Sequence, residues 1–218
     1  MRRELLLRSS RMGSKVGRPR DGDSAETRRR ILRAARVRFA RDGFRATTNR
    51  LIAADVGITA GAIYHYVDSK AALYADVYCS TIDELYTEFE RVAAEHDNLS
   101  EQYGAVLRRS AELGIDDPSI TGFIVAVAQE TQRHPDLLAL LTPQRGRHSR
   151  FFSGLVDGAA ERGELAPGLD RRALADLLGA VMTGLARMSE AAGDPMRYVA
   201  AVGVVERILD GTVLNARV

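Results

Sequence analysis

A chain of 218 residues in which 45% are hydrophobic can bury a core of ordinary domain size. Its opening MRRELLLRSS holds only three consecutive leucines and no small-residue cleavage pattern, and no later apolar run reaches the length of a membrane span, so the expectation is a cytoplasmic protein with no membrane partner. Charge is divided unevenly: residues 1–70 carry 17 Lys/Arg against 7 Asp/Glu, net +10, and residues 71–218 carry 14 against 22, net −8, so the first third favours a polyanion.

In chain order, residues 1–22 are rich in Arg, Gly and Ser and read as a flexible basic arm. The first predicted helix has Asp23 as N-cap, with Glu26 three residues on in a capping-box arrangement, and stops at Gly43. Helical spacing puts Ile31, Leu32, Ala35 and Phe39 on an apolar stripe, with Arg29, Arg33 and Arg36 on an opposite, cationic face. Thr47 or Thr48 caps a short helix ending near Asp55, Gly57 permits a turn, and Thr59 caps a third helix over Ala60–Val67. Asp68 or Ser69 caps a long helix reaching Ala94, in which the lone Cys79 is expected as a buried, inert thiol without a disulfide partner. Further starts fall at Ser100, at Asp117 with Pro118, near Pro135, at Asp170, and at Asp194 with Pro195. The prediction is an all-α chain of about nine helices: a three-helix basic domain over residues 23–70, then a larger helical domain over 71–218, joined inside the helix that starts near Ser69.

Two short helices around a glycine turn, with a basic helix beneath, form the layout of a helix-turn-helix, whose second helix enters the major groove. On that helix Ala60, Gly61, Tyr64 and His65 share a small or polar arc, and Ala62, Ile63, Tyr66 and Val67 a mostly apolar one. Small residues let backbone approach base edges, Tyr64 and His65 can donate to phosphates or bases, and Thr48 and Lys70 stand at helix N-termini, which favour phosphate. In the arm, Arg18 and Arg20 of GRPR suit an A·T-rich minor groove, or else add non-specific affinity.

The stretch from Ile31 to Leu73 resembles the DNA-binding module of TetR-family transcriptional regulators in its Gly-Phe-x-Ala-Thr-Thr entry, its Gly-x-x-x-Gly-x-x-Tyr centre and its Ser-Lys-x-x-Leu exit. The resemblance implies phosphate contacts at Thr48, Thr59, Tyr64, Tyr66 and Lys70, and base-edge approach by Ala60, Gly61 and His65. This chain departs from the family pattern in Val67 for an aromatic, in Ala71 and Ala72 for acidic residues, and in Ala60 for a long basic side chain, which turns the expectation from guanine readout towards contact with a thymine methyl.

One helix-turn-helix reads a half-site, so double-stranded DNA as partner implies a homodimer with reading helices roughly 34 Å apart. The last two helices suit pairing: Leu174, Leu178, Val181, Leu185 and Met188 lie along one side of the first, and Val199, Val202, Val205, Ile208 and Leu209 occur on the second. In relatives the middle helices enclose an inducer pocket, and the candidates for a largely apolar effector here are Tyr103, Leu107, Phe123, Val127, Glu130, Phe151, Phe152, Leu155 and Met182. Glu130 and His134, four apart, are expected as a surface ion pair. The four histidines form no ligand-spaced cluster, no cofactor motif occurs, and no phosphate loop, nucleophile elbow or zinc-protease motif suggests an enzyme. The expected function is a ligand-responsive repressor, with a chromosome-organising protein on the same scaffold as the rival reading.

Overall fold

The computed structural model describes residues 21–212. The helices are α1 (Asp21–Ala46), α2 (Asn49–Val56), α3 (Lys70–Ala93), α4 (Leu99–Asp116), α5 (Pro118–Arg133), α6 (Pro135–Arg145), α7 (Arg147–Glu161), α8 (Arg171–Ala192) and α9 (Pro195–Leu209), with a single 3-10 turn at Ala62–His65. Arg18 and Arg20 lie outside the described residues.

Several ends follow their sequence signals. Thr48, Ser69, Asp117, Asp170 and Asp194 each accept a backbone N–H at the start of α2, α3, α5, α8 and α9. Gly57 takes the left-handed conformation (φ 76°, ψ 30°) that ends α2, and α1 is broken at Gly43 (φ 76°, ψ 172°). Other ends differ. α1 begins at Asp21, so Asp23 lies within the helix, and Glu26 is drawn to Arg29 rather than back to the cap. α4 begins at Leu99 with Asn98 as cap. The expected third helix is one 3-10 turn, because Thr59 to Val67 must both turn and pack within nine residues. The count is restored by α7, which was not foreseen: Gly146 divides α6 from α7 while keeping right-handed helical angles (φ −80°, ψ −8°), so no positive φ marks the break.

Two apolar cores meet along α3. The first gathers Ile31, Phe39, Ile52, Ile63, Leu73 and Tyr74 from the N-terminal helices, together with Phe123 of α5 and Leu137 and Leu141 of α6. At its centre the Tyr74 ring meets Phe39, Phe44 and Phe123 edge-on at centroid distances of 4.8, 5.3 and 5.1 Å. Each such ring contributes roughly 1.5–3 kcal/mol by burial, so Phe123 fastens α5 to the head. The second core holds Phe89, Tyr103, Leu107, Phe151, Phe152 and Val156 with Leu178 and Val202.

The stripe expected to pair two copies is partly used inside one: Leu178 and Val202 are buried in the second core, and Leu174, Leu185 and Val205 pack against it. Val199, Ile208 and Leu209 of the expected set do face outward, joined by Leu177, Met196 and Val204. The cationic face of α1 is corrected in the same way. Arg36 is only 9% exposed, because its guanidinium is held by Asp117 Oδ2 at 2.7 Å and Ser119 Oγ at 3.1 Å at the start of α5.

Candidate nucleic-acid interface and ligand cavity

The head is braced so that its turn stands clear of the body. Thr47, fully buried, donates to the Gly43 carbonyl at 2.8 Å, and Thr48 Oγ1 accepts from Leu51 N at 3.2 Å. Arg38 grips Asp55 at 2.5 and 2.7 Å and holds that carboxyl below its ordinary range, while Arg30 donates to the Val56 carbonyl at 2.5 Å. These bonds tie α2 to α1 at its C-terminal end.

Across the turn, Thr59 Oγ1 accepts from Ala62 N at 3.1 Å, and the backbone closes from Tyr66 N to the Ile63 carbonyl at 2.9 Å. Ile63 and Val67 are buried and anchor the turn; Thr59, Ala60, Gly61, Tyr64 and His65 are exposed, and Tyr66 is half-buried. The division matches the two arcs read from the sequence, although the backbone is 3-10. Tyr64 is 60% exposed, and this head offers its ring no covering neighbour.

Lys70 is placed differently from a free phosphate ligand. Its ammonium donates to the Phe44 and Arg45 carbonyls at 2.8 and 3.4 Å and lies 4.4 Å from the centre of the Phe44 ring. Partial burial lowers its proton affinity, opposed by the charge of Glu130. Glu130 is itself buried, with His134 Nε2 3.8 Å away, so the expected surface pair is a junction between the end of α5 and the last turn of α1. The 134 ring also meets Phe44 edge-on at 5.2 Å.

Two cations escaped the sequence reading. Most arginines of α1 are engaged with acids or carbonyls, but Arg45 and Arg50 flank the cap of α2, are exposed, and have no ion pair among the described residues. Their position on either side of the Thr-Thr cap was the available signal.

In the body, α3, α4, α5, α7 and α8 surround a cavity of about 130 Å³. Its walls include Leu85, Phe89, Ile124, Val125 and Met182, with Ser110, Thr121, Thr183 and Arg187 as polar groups. It shares Ile82, Tyr86, Ile124, Ala128, His148 and Thr183 with an outer groove of about 680 Å³. Between them the Tyr86 hydroxyl and His148 Nδ1 are 2.6 Å apart. Burial pushes the Tyr86 hydroxyl well above its ordinary range and the His148 imidazole below its own.

Of the candidate ligand residues, the structure puts Met182 on the cavity and Val127 on the groove. The others are corrected. Phe151 and Phe152 fill the second core, against which Leu155 packs; so do Leu107 and Tyr103, whose hydroxyl donates to the Leu178 carbonyl at 2.8 Å. Phe123 belongs to the head's core, and Glu130 lies at its edge. An apolar pattern shows that residues face inward, and packing alone distinguishes a filled interior from a wall.

Among the described residues, no group of three His, Cys, Asp or Glu could hold a metal ion, and no helix is long and apolar enough to cross a membrane. Cys79 is half-buried, and burial raises its thiol further above neutrality.

An all-helical chain that presents a braced helix-turn-helix of this kind is a DNA-binding protein. Residues 31–77 match the family model of bacterial regulatory proteins of the tetR family. The HTH-type transcriptional repressor KstR2 of Rhodococcus jostii (strain RHA1) is 26% identical over 157 residues, covering 70% of this chain and 75% of that protein. Among solved structures, the fatty acid degradation regulator FadR from Bacillus halodurans superposes with a TM-score of 0.76 at 15% identity, covering 84% of this chain and 94% of that one. FadR from Bacillus subtilis, in complex with stearoyl-CoA, gives 0.72 at 18% identity over 85% and 99%. Residues 31–77 thus carry the DNA-binding module of the tetR family, and the fold of the whole chain is the one these regulators share.

Proposed function

We propose that this regulator is a repressor that occupies a pseudo-palindromic operator as a homodimer and is released when a small, largely apolar effector fills the cavity. The observation that carries the reading is the position of α5. Its Ile120, Thr121, Ile124, Val125 and Ala128 line the cavity, its cap Asp117 holds Arg36 of α1, and its far end brings Glu130 and His134 against Gly43 and Phe44 in the last turn of α1, just before the reading turn's supporting helix α2. An occupant that shifts α5 shifts the head at both ends of that helix, which is the differential coupling between two sites that release requires.

On the operator, Thr48, Thr59, Tyr64, Tyr66, Arg45 and Arg50 contact phosphates, while Ala60, Gly61 and His65 approach base edges. Lys70 adds its charge from the α3 N-terminus while holding the Phe44 and Arg45 carbonyls, and Arg18 and Arg20 follow the minor groove beside the site. Two copies pair through the outward face of α8 and α9, with Leu177 (57% exposed), Met196 (62%) and Ile208 (55%) as its apolar anchors and Gly184 allowing close approach. The names of KstR2, a repressor, and of the B. subtilis FadR complex with stearoyl-CoA support this reading by likeness. The test is a footprint on the promoter region of the protein's own gene followed by a screen of small molecules for its release; a footprint that persists through a broad panel favours the chromosome-organising alternative.

A further inference from the structure

Taking the cavity to be the effector site, we propose that its ligand is an amphipathic carboxylic acid, its apolar body seated between Leu85, Phe89, Ile124 and Met182 and its carboxylate held by Arg187. The sign of the charge follows from what lines the space. No Asp or Glu is among the residues lining the cavity or the groove, and Arg187 is the one residue there that is always charged. Among the described residues no ion pair occupies its guanidinium. A planar fork of this kind matches a carboxylate in two parallel hydrogen bonds, whereas an ammonium ligand would enter the same space with no acid to meet it.

The neutral polar groups agree. Burial favours the neutral forms of the Tyr86 hydroxyl and the His148 imidazole, which are paired at 2.6 Å through Nδ1, with Nε2 on the other edge of the ring. Gly179 makes room for that edge of the ring, since a Cβ there would lie 2.5 Å from Nε2. The ring is steadied edge-on by Phe152 at 5.0 Å. The pair lines both cavity and groove and brings no negative charge to either. An apolar wall with a single cation selects a molecule with one anionic end.

The experiment is calorimetric titration of the full-length protein with decanoate, decanol and decanoyl-CoA as probes. Decanoate is expected to bind at least about tenfold more tightly than either of the others, as a charge-assisted pair allows. Arg187→Gln then brings decanoate down to the affinity of decanol and leaves decanol where it was. Met182→Trp, or Ala186→Leu should that variant not fold, fills the cavity and removes binding of both.

Equal binding of decanoate and decanol, or a preference that survives Arg187→Gln, overturns the carboxylate while sparing the effector site. Tighter binding of decanoyl-CoA overturns the free acid in favour of a thioester. Binding indifferent to cavity filling, or no binding of any probe, overturns the cavity as the site.

Discussion

The reading head draws its proposed DNA contacts from one run of the chain, Arg45 to Lys70, whereas the cavity takes its walls from five helices between Ile82 and Arg187. In the head, neighbours in sequence are neighbours in space, so small and polar positions that alternate with Ile63 and Val67 are enough to say what faces outward. In the body, helices α3, α4, α5, α7 and α8 each present an apolar face, and the third dimension decides which faces close on each other and which leave a gap. Between the two lies α5, whose Phe123 serves the head's core while its neighbour Ile124 lines the cavity. Adjacent residues of one helix thus belong to the two regions whose contrast matters for release.

That contrast can be broken most severely at the shared ring. Phe123→Ala removes the contacts with Phe39 and Tyr74 and is expected to cost about 3–5 kcal/mol, read as a fall in the urea midpoint. If the head were independent of α5, its helical signal would survive this change. Tyr64→Ala and Arg50→Ala act on the head alone: each should weaken operator binding by about tenfold to a hundredfold with the thermal midpoint unmoved, measured by fluorescence anisotropy on labelled duplex. Normal affinity in either variant removes that residue from the phosphate contacts.

The coupling between regions is sharpened by Arg36→Met. Loss of the bond to Asp117 should cost about 1–3 kcal/mol in stability, leave ligand binding in the cavity intact, and reduce the ligand's power to release DNA. Full release by the variant would place the coupling elsewhere on α5. Arg45→Gln should lower the slope of log affinity against log salt by about one, as loss of a single phosphate contact requires.

The smallest effect concerns pH. His148 has its proton affinity lowered in the folded state by burial, so the unfolded chain binds the proton more readily. Its contribution to stability is present above the unfolded value of about 6.5 and is lost as pH falls below it. The thermal midpoint should rise from pH 5.5 to pH 7 in the native protein, and the rise should shrink in His148→Gln.

Much of the head was legible because caps and turns are local. Thr48, Gly57, Thr59 and Ser69 act on backbone groups within three or four residues of themselves, so their type and spacing predict their work. The shortening of the third helix to a 3-10 turn was not legible, since a wheel of outward and inward residues looks much the same at three residues per turn as at 3.6 over so short a run. Arg36 deceived for another reason: its partner Asp117 lies 81 residues away, and a charge on a helix face reads as solvated until that partner is seen.

By itself the sequence determined an all-helical chain, a helix-turn-helix with Tyr64 outward and Ile63 inward, and a basic end set against an acidic body, because capping, helical period and charge are properties of short windows. Only the tertiary structure decided that Phe123 serves the head, that Tyr103, Phe151 and Phe152 are filled core while Met182 is wall, and that Arg45 and Arg50, among the described residues, keep their charge at the head free of an ion pair. Those outcomes depend on which apolar faces meet and which acids reach which arginines, and such pairings are settled by close packing between segments far apart in the chain.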